Sequence, residues 1–517
     1  MTPRNGYSFL VFTILFVCYS YFIPTDNWAV TSRVVPVYAL VDEGVLNIDS
    51  YHLMTGDKAY FEGHYYTDKS IGPSLFAVPV YAIYKAFATR PEFQQAPIDD
   101  PAHPALSSGY RAGSLQWMTL FVVMLPSALL GVVVFRFAAR FTRRDFYAFV
   151  LALVYGLATI AFTYSRLLFQ HQMTALGLFI GFFLLWKVIY EKADSRWLWG
   201  AGFFLSLAFI SEYVVAIFGG LIFLWAVYKL RNPRAVFYII IGALPLLIIN
   251  SVYNWLAFKS LLPVGYSYSL WASTVHEHGF MGLSTPSLHV LGEIAFGTFR
   301  GLFFISPILL LIIPGLYLMW RQRSKYRDVV ILIGVIVVGF FLYNAAYLVW
   351  WGGWSTGPRF LVPMLPFMML PIAFVFNEWL RYKVGILVIG MLIVASTLNV
   401  WIQTIAFLGL SPDIVDVPAD IVNGATSSPE KMAAQAAYVV STVENGGYIA
   451  NPLFDFSIPH IQNNDIALNV GNQYGLSGLS SLNFLWIRLI VVMIAAVFVW
   501  FFTRTRQRKD LMQPVKR

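Results

Sequence analysis

Long apolar runs separated by short polar stretches set the pattern of this chain. Runs near residues 7–24, 113–135, 146–163, 172–190, 197–211, 214–228, 236–256, 301–320, 329–349, 360–377, 384–408 and 485–503 approach the roughly 17 to 25 residues that a helix needs to cross hydrocarbon. They predict an all-α integral membrane protein with about 12 transmembrane helices. The run at 71–88 is apolar enough to be another span, but it carries Pro73 and Pro79, and counting it would invert every later loop. Read instead as an amphipathic or re-entrant piece of a long first polar loop, about 25–112, it leaves the basic clusters on one side of the membrane.

Those clusters are Arg136, Arg140, Arg143 and Arg144; Lys187, Lys192 and Arg196; Lys229, Arg231 and Arg234; Arg321, Arg323, Lys325 and Arg327; Arg381 and Lys383; and the tail from Arg504 to Arg517. About 23 of the 35 basic residues then fall in short inner loops, as the positive-inside rule expects, and both termini are expected to be cytoplasmic. Arg4 and the apolar run behind it resemble a signal sequence, but no small-residue cleavage site follows, so this run reads as a retained first span.

Composition agrees. The chain has 517 residues, 58% apolar and 12% charged, with mean hydropathy +0.66, more apolar surface than a water-soluble fold of this size can cover. The net charge of +9 sits between spans, where it faces anionic lipid head groups, which argues against nucleic acid as a partner. Cys18 is the only cysteine, so one chain has neither a disulfide framework nor a cysteine metal cluster.

The expected outer loops are about 25–112, 257–300, 350–359 and 409–484. Seven of the eight histidines fall there and His171 in a short turn on the same expected side, as do roughly twenty of the 26 acids, so the groups useful for chemistry share one compartment. The chain divides into a transmembrane module at 1–408, a small extracytoplasmic element at 409–484 with a helical stretch near Pro429 to Glu444, and a last span with a basic tail at 485–517.

The first outer loop is the richest segment. It holds Asp42, Glu43, Gly44, Asp49, Asp57 and Lys58, then Gly63-His64-Tyr65-Tyr66-Thr67-Asp68-Lys69-Ser70-Ile71-Gly72-Pro73. Glycosyl transfer that displaces a lipid phosphate needs a carboxylate to take the acceptor's proton and cations to stabilise the departing phosphate. Asp49 and Asp57 suit the first role and Lys69 the second. Any one of these acids is equally explained as a helix cap or a solvated loop charge; the cluster carries more weight than its members.

The stretch from Ala39 to Tyr81 resembles the first periplasmic loop of GT-C glycosyltransferases of the aminoarabinose transferase and protein O-mannosyltransferase type, and most of all their bacterial relatives. In those relatives the loop reads approximately Glu-x-Gly, Ile-Asp, then Tyr-Ser-Asp-Lys-x-Pro-Gly; this chain matches at Glu43, Gly44, Ile48, Asp49, Tyr66, Asp68 and Lys69, with Gly72-Pro73 in place of Pro-Gly. Better-known members place an Asp-Glu pair directly after the first span. Here Thr25-Asp26-Asn27 stands there and Asp42-Glu43 comes later, so the order of candidates for the base is Asp49, then Asp57, then Asp26 and Asp42. The resemblance implies that Lys69 binds donor phosphate. Further matches are Tyr164 to His171, Ser211-Glu212-Tyr213, Phe299-Arg300-Gly301-Leu302-Phe303 with Ser306-Pro307, and Trp350-Trp351-Gly352-Gly353-Trp354-Ser355-Thr356-Gly357-Pro358-Arg359. It extends over nearly the whole chain, and it implies a multi-pass protein of a bacterial or archaeal plasma membrane with its site on the extracytoplasmic side.

Independently of family, Arg300 and Arg359 suit phosphate because a guanidinium offers paired donors in one plane; anchoring to lipid head groups explains either as well. Glu212 lies in a turn so short that its carboxylate sits at the interface, where a charge needs a partner or a pathway. His171 begins a span in the same layer and is more often a hydrogen-bonded interfacial histidine than a ligand. His276-Glu277-His278 lacks a spaced third ligand and reads as solvated loop. A divalent ion, Mg or Mn, shared by Asp49, Asp57 and a lipid phosphate fits oxygen-ligand chemistry. Tryptophans near span ends, among them Trp350, Trp351 and Trp354, form an interfacial belt by default.

The expected function is an inverting glycosyltransferase that moves a sugar from a polyprenyl-phosphate donor to an extracytoplasmic glycan, lipid or protein. The competing class is a transporter or flippase of a lipid-linked solute, which predicts ionisable residues at span centres and two related halves. The span centres are nearly free of charge.

Overall fold

The computed structural model describes residues 3–90, 100–270, 275, 279, 281–406, 434, 437–439, 441–447, 449–492 and 494. The tail, His276-Glu277-His278 and much of the stretch from Pro429 to Glu444 lie outside the described residues.

The chain is almost entirely helical. In order come α1 (Pro3–Tyr21), α2 (Trp28–Tyr38), α3 (Gly72–Ala88), α4 (Ser108–Thr119), α5 (Leu125–Ala138), α6 (Asp145–Leu157), α7 (Ala161–Tyr164), α8 (His171–Glu191), α9 (Trp197–Ser211), α10 (Ala216–Leu230) and α11 (Pro233–Phe258). They are followed by α12 (Leu288–Phe296), α13 (Leu302–Ile305), α14 (Ile312–Gln322), α15 (Arg327–Ala346), α16 (Leu365–Trp379) and α17 (Lys383–Ile405).

Among the described residues seven helical stretches are long and apolar enough to cross a membrane: Ser108–Ala138, His171–Glu191, Tyr213–Leu230, Pro233–Phe258, Ser324–Ala346, Arg359–Trp379 and Lys383–Ile405. The first joins α4 to α5 through a wider turn at Leu120–Met124. Of the other expected runs, that at 7–24 forms the unbroken 19-residue α1, that at 197–211 the shorter 15-residue α9, and that at 485–503 lies largely outside the described residues. The run at 146–163 ends as a helix at Leu157 before the single turn of α7, and that at 301–320 breaks at Ser306, since Pro307 bars its predecessor from helical geometry.

Burial orders the bundle. The most apolar window of Arg359–Trp379 is 94% buried, against 22% for Lys383–Ile405. The former is therefore the central helix, and the latter turns residues such as Ile386, Leu387, Val394 and Leu398 outward, as a lipid-facing helix does.

The run at 71–88 becomes α3, with Pro73 in its first turn, where a missing N–H costs nothing. It lies beside α2 in the same direction: Ser74 Oγ donates to the Arg33 carbonyl at 2.6 Å, and Lys85 Nζ sits 2.7 Å from Asp42. Between the two helices stands a hairpin, β1 (Ala59–Phe61) with β2 (His64–Tyr66), pairing Ala59 with Tyr66 and Phe61 with His64. Its turn residues Glu62 and Gly63 both have positive φ, 49° and 91°, as a tight two-residue hairpin requires.

Candidate active site

At the start of α3 the chain approaches the end of α9 so closely that a Cβ on Gly72 would lie 2.6 Å from Ser211 Oγ and 2.8 Å from the Ile210 carbonyl oxygen. Ser70 Oγ donates to the Ser211 carbonyl. This contact brings the Lys69 segment against Glu212, which follows α9. A glycine before Pro73 is therefore a packing requirement.

Lys69 Nζ lies 3.2 Å from Asp57 Oδ2 and 3.2 Å from Asp68 Oδ2. Burial alone lowers the Lys69 ammonium, but Asp57 and Asp68 outweigh it and hold its pKa above the ordinary lysine value. Lys69 is thus a cation at neutral pH. Asp68 is 1% exposed; its Oδ2 accepts from Ser269 Oγ at 2.9 Å, while its Oδ1 is buried without a hydrogen-bond partner among the described residues. Tyr266 places its ring 5.9 Å from Lys69 Nζ.

Two guanidinium groups complete the cationic side. Arg33 on α2 is 2% exposed and donates to Gln170 Oε1 and the Ala29 carbonyl. Its guanidinium carbon lies 5.6 Å from the ring centre of Phe169, and that of Arg359 lies 5.4 Å from the same ring. Arg359 makes no ion pair among the described residues, and its Nε is buried without a hydrogen-bond partner. A cationic group in that state is open to an anion.

The backbone before Arg359 explains the glycines of its motif. Gly352, Gly353 and Gly357 have φ of 77°, 69° and 62°, and a Cβ on Gly352 would lie 2.9 Å from Arg359 Nε. Arg300, fully buried, donates through Nε to the Trp351 carbonyl at 3.3 Å and through Nη2 to the Gly353 carbonyl at 3.2 Å. It pins the turn that carries Arg359.

His171, at the start of α8, stacks with Phe169 at 5.9 Å, and its Nδ1 lies 3.4 Å from Glu212 Oε2 without the alignment of a hydrogen bond. Burial pushes the Tyr347 phenol up to about 12, so it stays protonated at neutral pH. Its hydroxyl belongs to the same electrostatic neighbourhood as Tyr266, Lys69, Arg359 and Asp68.

No protein-family model, no curated protein and no solved structure matches the chain.

Of the residues singled out in sequence, Asp57, Asp68, Lys69, His171, Glu212 and Arg359 converge, with Arg300 behind them. The others stand elsewhere. Asp49 accepts the Tyr65 N–H at 2.7 Å and faces His64 Nδ1 at 2.6 Å, so it clips β2 into place. Tyr66, 9% exposed, packs its ring 5.2 Å from Phe258. Glu43 lies at the far end of α2 and α3 with His103 at 3.0 Å, and Asp42 there takes Lys85, Tyr51 and Tyr81 as partners. Asp26 pairs with Arg111 at 3.4 Å.

For a divalent ion the fit is poor. Asp49 and Asp57 engage separate partners, and among the described residues no group of three or more His, Cys, Asp or Glu is arranged to hold a metal ion. Arg33, Phe169, Gln170, Tyr266 and Ser269 were not singled out as site residues. Phe169 and Gln170 lay within the matching stretch Tyr164 to His171, and Arg33 is an isolated arginine in the apolar stretch around α2.

Proposed function

We propose that this chain is an inverting glycosyltransferase that takes its sugar from a polyprenyl-phosphate donor on the extracytoplasmic side, with Asp57 as the base. The observation that carries this reading is the meeting of Arg33 and Arg359 on the Phe169 ring, with Lys69 in the electrostatic reach of Arg33 and paired with Asp57 and Asp68. Three cations, Arg33 buried and Lys69 and Arg359 partly so, suit a phosphate diester that leaves as a monoester with an added negative charge.

In the reaction the acceptor hydroxyl gives its proton to Asp57 while its oxygen bonds to the anomeric carbon. The bond from that carbon to the phosphate oxygen breaks, and its electron pair stays with the polyprenyl phosphate. Lys69, Arg33 and Arg359 stabilise that charge. One displacement at carbon inverts its configuration. The donor phosphate competes with Asp57 for Lys69, so donor binding frees the carboxylate that the acceptor needs. Asp57 is preferred over Asp49 because Asp49 is spent on the hairpin.

The test is transfer of radiolabelled sugar from a polyprenyl-phosphate pool by membranes carrying the wild type, Asp57→Asn, Lys69→Ala or Asp49→Asn at matched expression. Loss in the first two variants with transfer retained by the third supports the assignment. Retention in Asp57→Asn with loss in Asp49→Asn returns the base to Asp49. No transfer by the wild type across several donors favours a transporter of lipid-linked solutes.

A further inference from the structure

The opposite end of α8 carries a second polar recess. There Glu191, the last residue of α8, faces Arg140 at 2.6 Å. A cavity of about 350 Å³ lies beside this pair, lined by Arg140, Phe141, Thr142, Arg143, Gln322, Arg323, Phe374 and Asn377. Its basic residues come from two separate loops, one after α5 and one after α14.

Both acids at this recess are already engaged: Glu191 with Arg140, and Glu378 with Arg143 and Arg381, each at 3.3 Å. Arg323 makes no ion pair among the described residues, and Thr142 Oγ1 is buried without a hydrogen-bond partner. The recess therefore holds surplus positive charge and an unused hydroxyl. It opens where two stretches long and apolar enough to cross a membrane, Ser108–Ala138 and Arg359–Trp379, end, and Phe141 and Phe374 give it apolar walls.

We infer that this recess binds the phosphate of an anionic phospholipid from the leaflet opposite the glycosyl-transfer site, with Arg323, Arg143 and Thr142 as its donors. Such a phosphate answers the charge that Glu191 and Glu378 leave unbalanced. A head group held there ties the loops after α5 and α14 to the end of α16. The assignment is independent of the transfer reaction.

The purified full chain in nanodiscs of phosphatidylglycerol with phosphatidylcholine, followed by native mass spectrometry of retained lipid, tests it. Phosphatidylglycerol is expected to be retained selectively, and Arg323→Gln to lower that retention roughly tenfold, the factor that one direct hydrogen bond to a charged group supplies. Arg144→Gln, which removes the same charge outside the recess, is expected to leave retention unchanged. Equal retention of both lipids, or equal losses in the two variants, overturns the site. Displacement of phosphatidylglycerol by millimolar inorganic phosphate, with phosphate itself retained, overturns the lipid as its source.

Discussion

Asp57 Oδ2 lies 3.2 Å from Lys69 Nζ, with 14% and 16% of the two side chains exposed. A carboxylate and an ammonium this buried are stable only as a pair, so removing either member has unequal effects. Asp57→Asn leaves Lys69 its second partner, Asp68, and the fold is expected to survive. Transfer is expected to fall roughly 100- to 10,000-fold, the usual contribution of a general base. Lys69→Met strands both carboxylates and is expected to cost about 3 kcal/mol of stability as well as activity. Thermal melts beside the transfer assay separate the two; a Lys69→Met protein as stable as wild type would sink the pairing.

Asp49 makes the opposite prediction. Its carboxylate accepts from the Tyr65 N–H and faces His64, but it is 39% exposed. Solvent screening reduces the value of such a pair to about 1 kcal/mol. Asp49→Asn is expected to lower the melting temperature slightly and to keep most of the transfer rate. A loss as deep as that of Asp57→Asn would contradict the structural role.

Gly352 controls Arg359. Its φ of 77° costs an L-residue about 1–2 kcal/mol, and a Cβ there would lie 2.9 Å from Arg359 Nε. Gly352→Ala is expected to displace the guanidinium and to raise KM for the donor while KM for the acceptor stays unchanged. Steady-state kinetics with each substrate varied in turn decides this; unchanged donor KM would free Arg359 from phosphate binding.

His103 gives a pH dependence. The hydrogen bond that His103 donates to the Asp100 carboxylate raises its pKa against the opposing effect of burial, with the charges of Asp100, Glu43 and Asp42 adding to it, and the Asp100 carboxyl is lowered in turn, chiefly by His103. A raised imidazole contributes stability in full below its ordinary value of 6.5 and loses it as pH rises through the folded value. The depressed Asp100 contributes above its ordinary value and loses it as pH falls through its folded one. Wild type is therefore expected to exceed His103→Gln in melting temperature most near pH 5–6, with the gap closing by pH 8–9. A gap that widens with pH would reverse the sign.

The long apolar helices were readable because burial among apolar surroundings writes itself as composition, and Lys69, Glu212 and Arg359 drew attention because they stand in unusual local contexts. Discrimination between Asp49 and Asp57 was not readable. It depends on the register of the β1–β2 hairpin, which turns Asp49 toward Tyr65 and leaves Asp57 facing Lys69. Glu43 stands apart from Lys69 for a similar reason: α2 and α3 run in the same direction, which carries Glu43 to the end that holds Lys85 and His103. Arg33 belongs to the site only because Gly72 lets α3 dock on Ser211 and hold α2 beneath it.

Two guanidiniums share the Phe169 ring. Arg33 and Arg359 lie 5.6 and 5.4 Å from that ring, two like charges, one buried and one partly so, and their mutual repulsion is relieved by an anion. A ligand that binds only the folded state stabilises it by RT ln(1 + [L]/Kd), about 2.7 kcal/mol at a hundredfold excess over Kd. Polyprenyl phosphate without sugar is therefore expected to raise the melting temperature of the wild type. Arg359→Gln removes a phosphate donor and Phe169→Leu removes the surface that holds both guanidiniums in register, so each is expected to abolish most of that rise. If the rise persists in both variants, the phosphate is bound elsewhere and the cationic layer around Phe169 serves packing alone.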